Sequence, residues 1–411
     1  MKLCFRLLSI HQKKKMSNKG FKRIPSRRKS SNHRPNPTKI YIPLDLQIST
    51  LLRLPVKSLH RFQCVSKVWS SIITSRDFRN KHFNIAASSS PPPLLITFKD
   101  FYDKKLLLVM LRNPNASSSS RVPYTDLSLL KVYGKMVNNT AWGLISLRIG
   151  VNEGICNPST RLLDIFPQQK YKIIAEFGPP PKYCFGYDPV EDQYKVLAVD
   201  QLFWRAEHKV LVVGGEGGWR DISCAVSQHW AHTSGLYMNG FIYYGAVCQP
   251  MLISSPEDSI IVCFNVKLET FNIIKVPSKV VPDGSVNMWV DTPYQFTDKI
   301  LINYGGRIGV VENPREGRFR VWVVEDAEKE EWSMNTYHLP QSAAGLNFKV
   351  METFHNGEIC MVSKVLSDPF SLFYYNLKTK SMRSVVIEGL PISKLEQVVT
   401  VSDHYENFTS L

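Results

Sequence analysis

Residues 42–73 read IPLDLQISTLLRLPVKSLHRFQCVSKVWSSII, and the spacing of leucine, proline and tryptophan within them decides how the rest of the 411-residue chain is divided. Pro43 suits a first helical turn, whose N–H has no intrahelical partner. Leu44, Ile48, Leu51 and Leu52 then recur at helical spacing and predict an amphipathic helix. Pro55 disfavours the α region at Leu54 and ends that helix, after which Val56, Leu59 and Phe62 begin a second apolar stripe. Val65, Val68, Trp69, Ile72 and Ile73 predict a third, with Ser66, Lys67, Ser70 and Ser71 opposite. About forty residues cannot bury this many apolar side chains alone. Such a module either caps a larger domain or offers the surplus to a partner.

The order Ile42-Pro43, Asp45-Leu46, Arg53-Leu54-Pro55, Lys57-Ser58-Leu59, Arg61-Phe62, Cys64-Val65-Ser66-Lys67 and Trp69 resembles the F-box. The resemblance implies a three-helix module that docks on the Skp-family adaptor of an SCF-type ubiquitin ligase, and through it on a cullin-RING ligase. The contact roles fall on Ile42, Pro43, Leu46, Leu51, Leu54, Pro55, Val56, Leu59 and Trp69. Ser49 and Thr50 depart from the pattern, standing where such sequences carry an acidic and then a branched apolar residue. Threonine in place of isoleucine removes about one methylene of burial and adds a hydroxyl, a loss on the order of 1 kcal/mol in a dry contact. Weakened docking is therefore expected, not lost docking.

The net charge of +16 suggests nucleic acid until it is located. Residues 1–39 hold 13 Lys and Arg and no acid, leaving 38 basic against 35 acidic side chains elsewhere. The charge thus belongs to a disordered basic tail, 1–39, serving as solvated tail, nuclear-import signal or phosphate-binding arm. The longest wholly apolar run, Leu106–Leu111, is far below the roughly 20 residues a membrane helix needs. The N-terminal charge order does not suit a signal peptide. Eight cysteines without a CxxC pair read as reduced core residues, in keeping with cytoplasm or nucleus.

The F-box is assigned to 40–84, a Ser/Pro-rich linker to 85–93, and an all-β region to 94–411, where apolar runs rich in Val, Ile, Tyr, Phe and Trp alternate with Gly, Pro, Asn and Asp clusters. Five segments read as hairpins: Ile155–Pro167, Phe185–Val199, Ile261–Pro277, Val321–Pro340 and Leu372–Leu390. Ser234–Val247 adds an Asn239-Gly240 turn, and Ile300–Val311 is a further strand segment. At roughly 45 residues per four-stranded unit, allowing for long loops, the region predicts a propeller of about six blades; a large β-sandwich is the alternative. The hairpins, the Trp230-to-Gly240 segment and the Val323-Glu325-Asp326 run are similar in order to the type 3 F-box-associated domain of plant proteins. That likeness implies substrate recruitment and names no substrate.

No catalytic constellation is expected. Gly214-Gly215-Glu216-Gly217-Gly218 lacks the Lys-Ser or Lys-Thr of a phosphate loop and reads as a hairpin turn. His208, His229, His232, His338 and His355 are dispersed, and only His229 and His232 are close, three apart, where a strand would turn them to opposite sides; no metal and no cofactor is expected. The acidic run Glu325, Asp326, Glu328, Glu330, Glu331 reads as a solvated turn, or as an attractor for a basic target. Of the tryptophans, 142, 204, 219, 230, 289, 322 and 332 fit blade core, with one or two available to a binding face. The expected class is an α+β multidomain, non-catalytic receptor that docks an adaptor through the F-box and a target protein through the β domain. A basic-tailed nucleic-acid-binding or scaffold protein with a degenerate F-box is the competing reading.

Overall fold

A computed structural model describes residues 42–89, 92–102, 105–111, 121–123, 125–126, 134–149, 152–168, 181–202, 205–224, 229–248, 259–281, 288–292, 295–296, 299–343, 345–354 and 356–407. The basic tail, Trp204 and His355 lie outside them. Asp45–Leu411 forms one compact unit, so the helical module from Asp45 onward and the β domain belong together.

The three expected helices are α1 (Leu44–Leu51), α2 (Val56–Phe62) and α3 (Lys67–Thr74). Ser66 caps α3 by accepting from Trp69 N at 3.0 Å. A fourth helix follows, α4 (Arg76–Ser89), whose Phe78 N–H donates to Ser75 Oγ at 3.3 Å. The linker expected from residue 85 is therefore helical through Ser89. Leu51, Val56, Leu59, Ile73 and Phe78 form the core of this module. The third apolar stripe divides: Ile73 is buried, Trp69 and Ile72 are half-buried, and Val65 and Val68 face solvent.

Six antiparallel sheets follow, each a propeller blade. Blade 1 joins Leu395–Asp403 to Leu94–Asp100, Leu106–Leu111 and Thr125–Asp126, so the strand latest in sequence lies beside the earliest. Blade 2 runs Gly134–Ala141, Leu144–Ile149, Asn152–Asn157, Leu162–Ile165, and blade 3 Lys182–Asp188, Gln193–Leu202, Arg205–Val212, Arg220–Ile222. Blade 4 carries two short first strands, His229–Ala231 and Leu236–Met238, on Phe241–Cys248, then Ser259–Asn265 and Thr270–Lys275. Blade 5 is Lys299–Tyr304, Arg307–Glu312, Arg318–Asp326, Glu331–His338; blade 6 is Phe348–Thr353, Glu358–Ser363, Phe370–Asn376, Ser381–Glu388. Arg121–Pro123 adds a parallel edge strand to blade 6. A two-stranded ribbon, Val290–Thr292 with Gln295–Phe296, lies in sequence between blades 4 and 5.

All five predicted hairpins pair as read. The first strands touch in a closed cycle, from Leu395–Asp403 through blades 2 to 6 and back, so the inner edges of the sheets are sheltered by one another. Trp289 and Trp322 fill the junction between blades 4 and 5 at 1% exposure each, and Gly245 stays bare because a Cβ there would sit 2.6 Å from the Trp289 ring. The glycine run at 214–218 is the turn joining two strands of blade 3.

Candidate docking face and the clasp behind it

The expected adaptor contacts separate into three groups. Ile42, Pro43, Leu46 and Pro55 are open to solvent, with Ile42 at 53% and Leu46 at 55% exposure. Leu54 and Trp69 are half-buried. Leu51, Val56 and Leu59 belong to the module's own core and shape the face from beneath. Val65 and Val68, which the sequence reading did not assign to docking, enlarge the exposed apolar surface. Trp69 Nε1 donates to Gln47 Oε1 at 2.6 Å, which ties α3 to α1, and the Trp69 ring lies 5.4 Å from Phe62. Ser49 and Thr50 are exposed, on the helical face they share with Leu46. Thr50 Oγ1 donates back to Leu46 O at 2.8 Å. Its hydroxyl is thus satisfied within the helix, and the departure chiefly costs apolar area.

The module grips the propeller through α4 and through the turn at Leu54-Pro55, which lines a cavity with His404, Tyr405 and Glu406. Pro55 occupies the N-cap of α2 and offers no side-chain acceptor. Glu406, 350 residues away, takes that role: its Oε2 accepts from Val56 N at 2.9 Å and places negative charge at the positive end of the helix. From α4, Arg79 pairs with Asp192 and Arg76 donates to the carbonyls of Pro189 and Val190, all in the turn between the first two strands of blade 3. Phe83 stacks on Trp142 with centroids 4.1 Å apart and lies 5.2 Å from Tyr405. The aromatic chain continues through Tyr187, 4.8 Å from Trp142, to Tyr194.

Residues 404–407 form the clasp. His404 N donates to Pro93 O at 2.7 Å, and its ring nitrogen lies 3.2 Å from Ser159 Oγ. Asn407 Nδ2 donates to Trp142 O at 2.8 Å and Tyr194 Oη at 2.7 Å, while Asn157 Nδ2 donates to Asn407 O at 2.8 Å. The Trp142-Gly143 turn beneath has positive φ at both residues, and a Cβ on Gly143 would fall 1.8 Å from Tyr405 O. Glycine is what lets the clasp lie flat. Burial pushes the His404 imidazole down to about 4, so it is neutral at neutral pH.

A cavity of about 600 Å³ runs among the inner strands, lined by Thr140, Leu236, Leu301, Thr353 and Asp403, with Phe83 at the same end as the inner-strand turns. Within it, burial and then the neighbouring Asp403 raise the Glu352 carboxyl well above the usual range. Elsewhere, at the junction of blades 3 and 4, the fold gathers His208, Cys224 and His229, which the sequence spreads over 22 positions. Burial and the nearby His229 push His208 down to about 3. Of the acidic run, Glu325 pairs with Arg307 and accepts from Ser333 Oγ at 2.6 Å, and Asp326 accepts from the N–H groups of Glu328 and Lys329; it is a closed solvated turn.

These features define an F-box joined to a six-bladed F-box-associated propeller. Residues 41–81 match the F-box domain and residues 93–406 the F-box associated beta propeller domain, and the chain belongs to that family. The Arabidopsis thaliana F-box protein At3g47150 is 54% identical over 386 residues, covering 92% of this chain and 98% of the relative. A second from the same plant, At5g65850, is 34% identical over 403 residues, covering 93% and 94%. Among solved structures, the Aleuria aurantia lectin aligns with a TM-score of 0.40 at 10% identity, covering 72% of this chain and 92% of the lectin, too distant to bear on fold or ligand. Among the described residues no helix is long and apolar enough to cross a membrane.

Proposed function

We propose that the chain is a non-catalytic substrate receptor of an SCF-type ubiquitin ligase, working in cytoplasm or nucleus, with the F-box bound to a Skp-family adaptor and the propeller holding a target protein. One observation carries the reading. The F-box leaves Leu46, Val65 and Val68 exposed while Arg76, Arg79 and Phe83 fasten it to the propeller. A face that remains apolar after the module has used its domain contact is suited to a protein partner. The fastening also gives the receptor its use. A target held by the propeller stays at a fixed distance from whatever the adaptor brings, and that effective concentration is what a non-catalytic subunit can contribute.

The test is calorimetric titration of the full chain with a purified plant Skp-family adaptor, beside a Pro43→Ala, Leu46→Ala variant. The native chain should bind, and the variant should bind about a hundredfold more weakly with an unchanged melting temperature, since both residues are exposed. A native chain that ignores the adaptor would overturn the proposal.

A further inference from the structure

We infer that His208, Cys224 and His229 form a zinc site that staples blade 3 to blade 4. One ligand atom from each of the three lies within 4.8 Å of the others. His208 stands on the third strand of blade 3, and Cys224 follows that blade's last strand by two residues. His229 opens blade 4. The Tyr244 hydroxyl, from the same sheet as His229, lies 3.0 Å from His208 Nε2 and 2.9 Å from His229 Nε2 and brings an oxygen to the same point. The imidazole centroids are 5.2 Å apart, and His208 and His229 are 3% and 0% exposed.

The donor set selects the ion. A thiolate with two imidazoles is a borderline-soft combination suited to tetrahedral zinc and poorly suited to magnesium or calcium, which take oxygen. Around a tetrahedral zinc, such donors stand about 3.3 to 3.6 Å from one another. The present spacing, at most 4.8 Å, exceeds that by about 1 Å. Cys224 is partly exposed and gives the ion its way in. Coordination takes the thiolate, so the Cys224 proton passes to solvent on binding.

A purely structural alternative exists, in which the tyrosine hydroxyl bridges two imidazoles and the cysteine is a bystander. The full chain, stripped with a chelator, separates the two when titrated with Co²⁺ and then Zn²⁺. The zinc site should take up one Co²⁺ per chain with the visible absorption of a tetrahedral centre and a thiolate-to-cobalt charge-transfer band, both erased by Zn²⁺. The melting temperature should rise with zinc concentration. Cys224→Ser, a change at a partly exposed position, should keep the fold by circular dichroism, lose the charge-transfer band and bind zinc at least about tenfold more weakly. A native chain that takes up no stoichiometric metal, or a Cys224→Ser variant that matches it, overturns the inference.

Discussion

The F-box and the propeller handle apolar surface in opposite ways. Each blade packs its apolar residues against the next, with Phe319, Tyr337 and Tyr375 interlocking across blades 5 and 6 at ring separations of 5.0 to 5.9 Å. The F-box closes on a core of five buried residues and leaves five large apolar side chains exposed between 42 and 68. A domain closed into a ring supports itself. A four-helix module of this size has too little interior, and it is held from one side by the clasp while its other side stays available.

Removing the hold should separate the two regions most sharply. Phe83→Ala deletes the stack on Trp142 and the contact with Tyr405, a loss of about 1 to 2 kcal/mol, less than for a fully buried phenylalanine because Phe83 is half-buried. Hydrogen exchange should accelerate across α2 to α4 and stay unchanged in blades 4 and 5. Equal acceleration in all blades would mean that the two regions unfold as one.

Acid should act on the clasp next. His404 is 1% exposed with its folded pKa at about 4 against an ordinary 6.5. As pH falls through 6.5 the unfolded chain takes up a proton that the folded chain refuses until about pH 4, so this contribution is complete above pH 7 and is lost across that window. It amounts to about 2 kcal/mol at pH 5. Denaturant melts at pH 7 and pH 5 should show at least that drop, since His208 and His232 are lowered in the same way, and His404→Asn should remove its share; an equally steep slope in the variant would assign the acid sensitivity to other groups.

The smallest effect concerns the free side alone. Ser49→Glu with Thr50→Ile adds apolar area beside Leu46 and should tighten adaptor binding by about 1 kcal/mol without changing stability. A variant that binds no better would show that these positions lie off the contact.

Sequence reading recovers what local chemistry encodes. The hairpins are legible because each depends on its own turn, such as Asn239-Gly240 or Asn157-Pro158, and α1 to α3 because their apolar spacing is regular. It misses α4, whose Phe78 and Phe83 serve different neighbours, one the F-box core and the other Trp142, so they form no stripe. It also misses the clasp and the zinc ligands. The capping of α2 by Glu406 spans 350 residues, and nothing near Pro55 signals that its missing acceptor arrives from there. His208 and His229 meet only because blades 3 and 4 are neighbours. Leu51, Val56 and Leu59 show a related limit, since a family motif records core and contact residues in the same letters.

The clasp sets an order of events during synthesis. Leu395–Asp403 and residues 404–407 emerge after every other described strand, yet they supply the inner strand of blade 1 and the cap of α2. A nascent chain that has made all six blades but this strand has an open ring and an F-box whose α2 lacks its cap, although Arg76, Arg79 and Phe83 already have their partners in blades 2 and 3. Completion of the ring and capping of α2 therefore coincide, so a product truncated before Leu395 would keep its F-box on the propeller through Arg76, Arg79 and Phe83 alone.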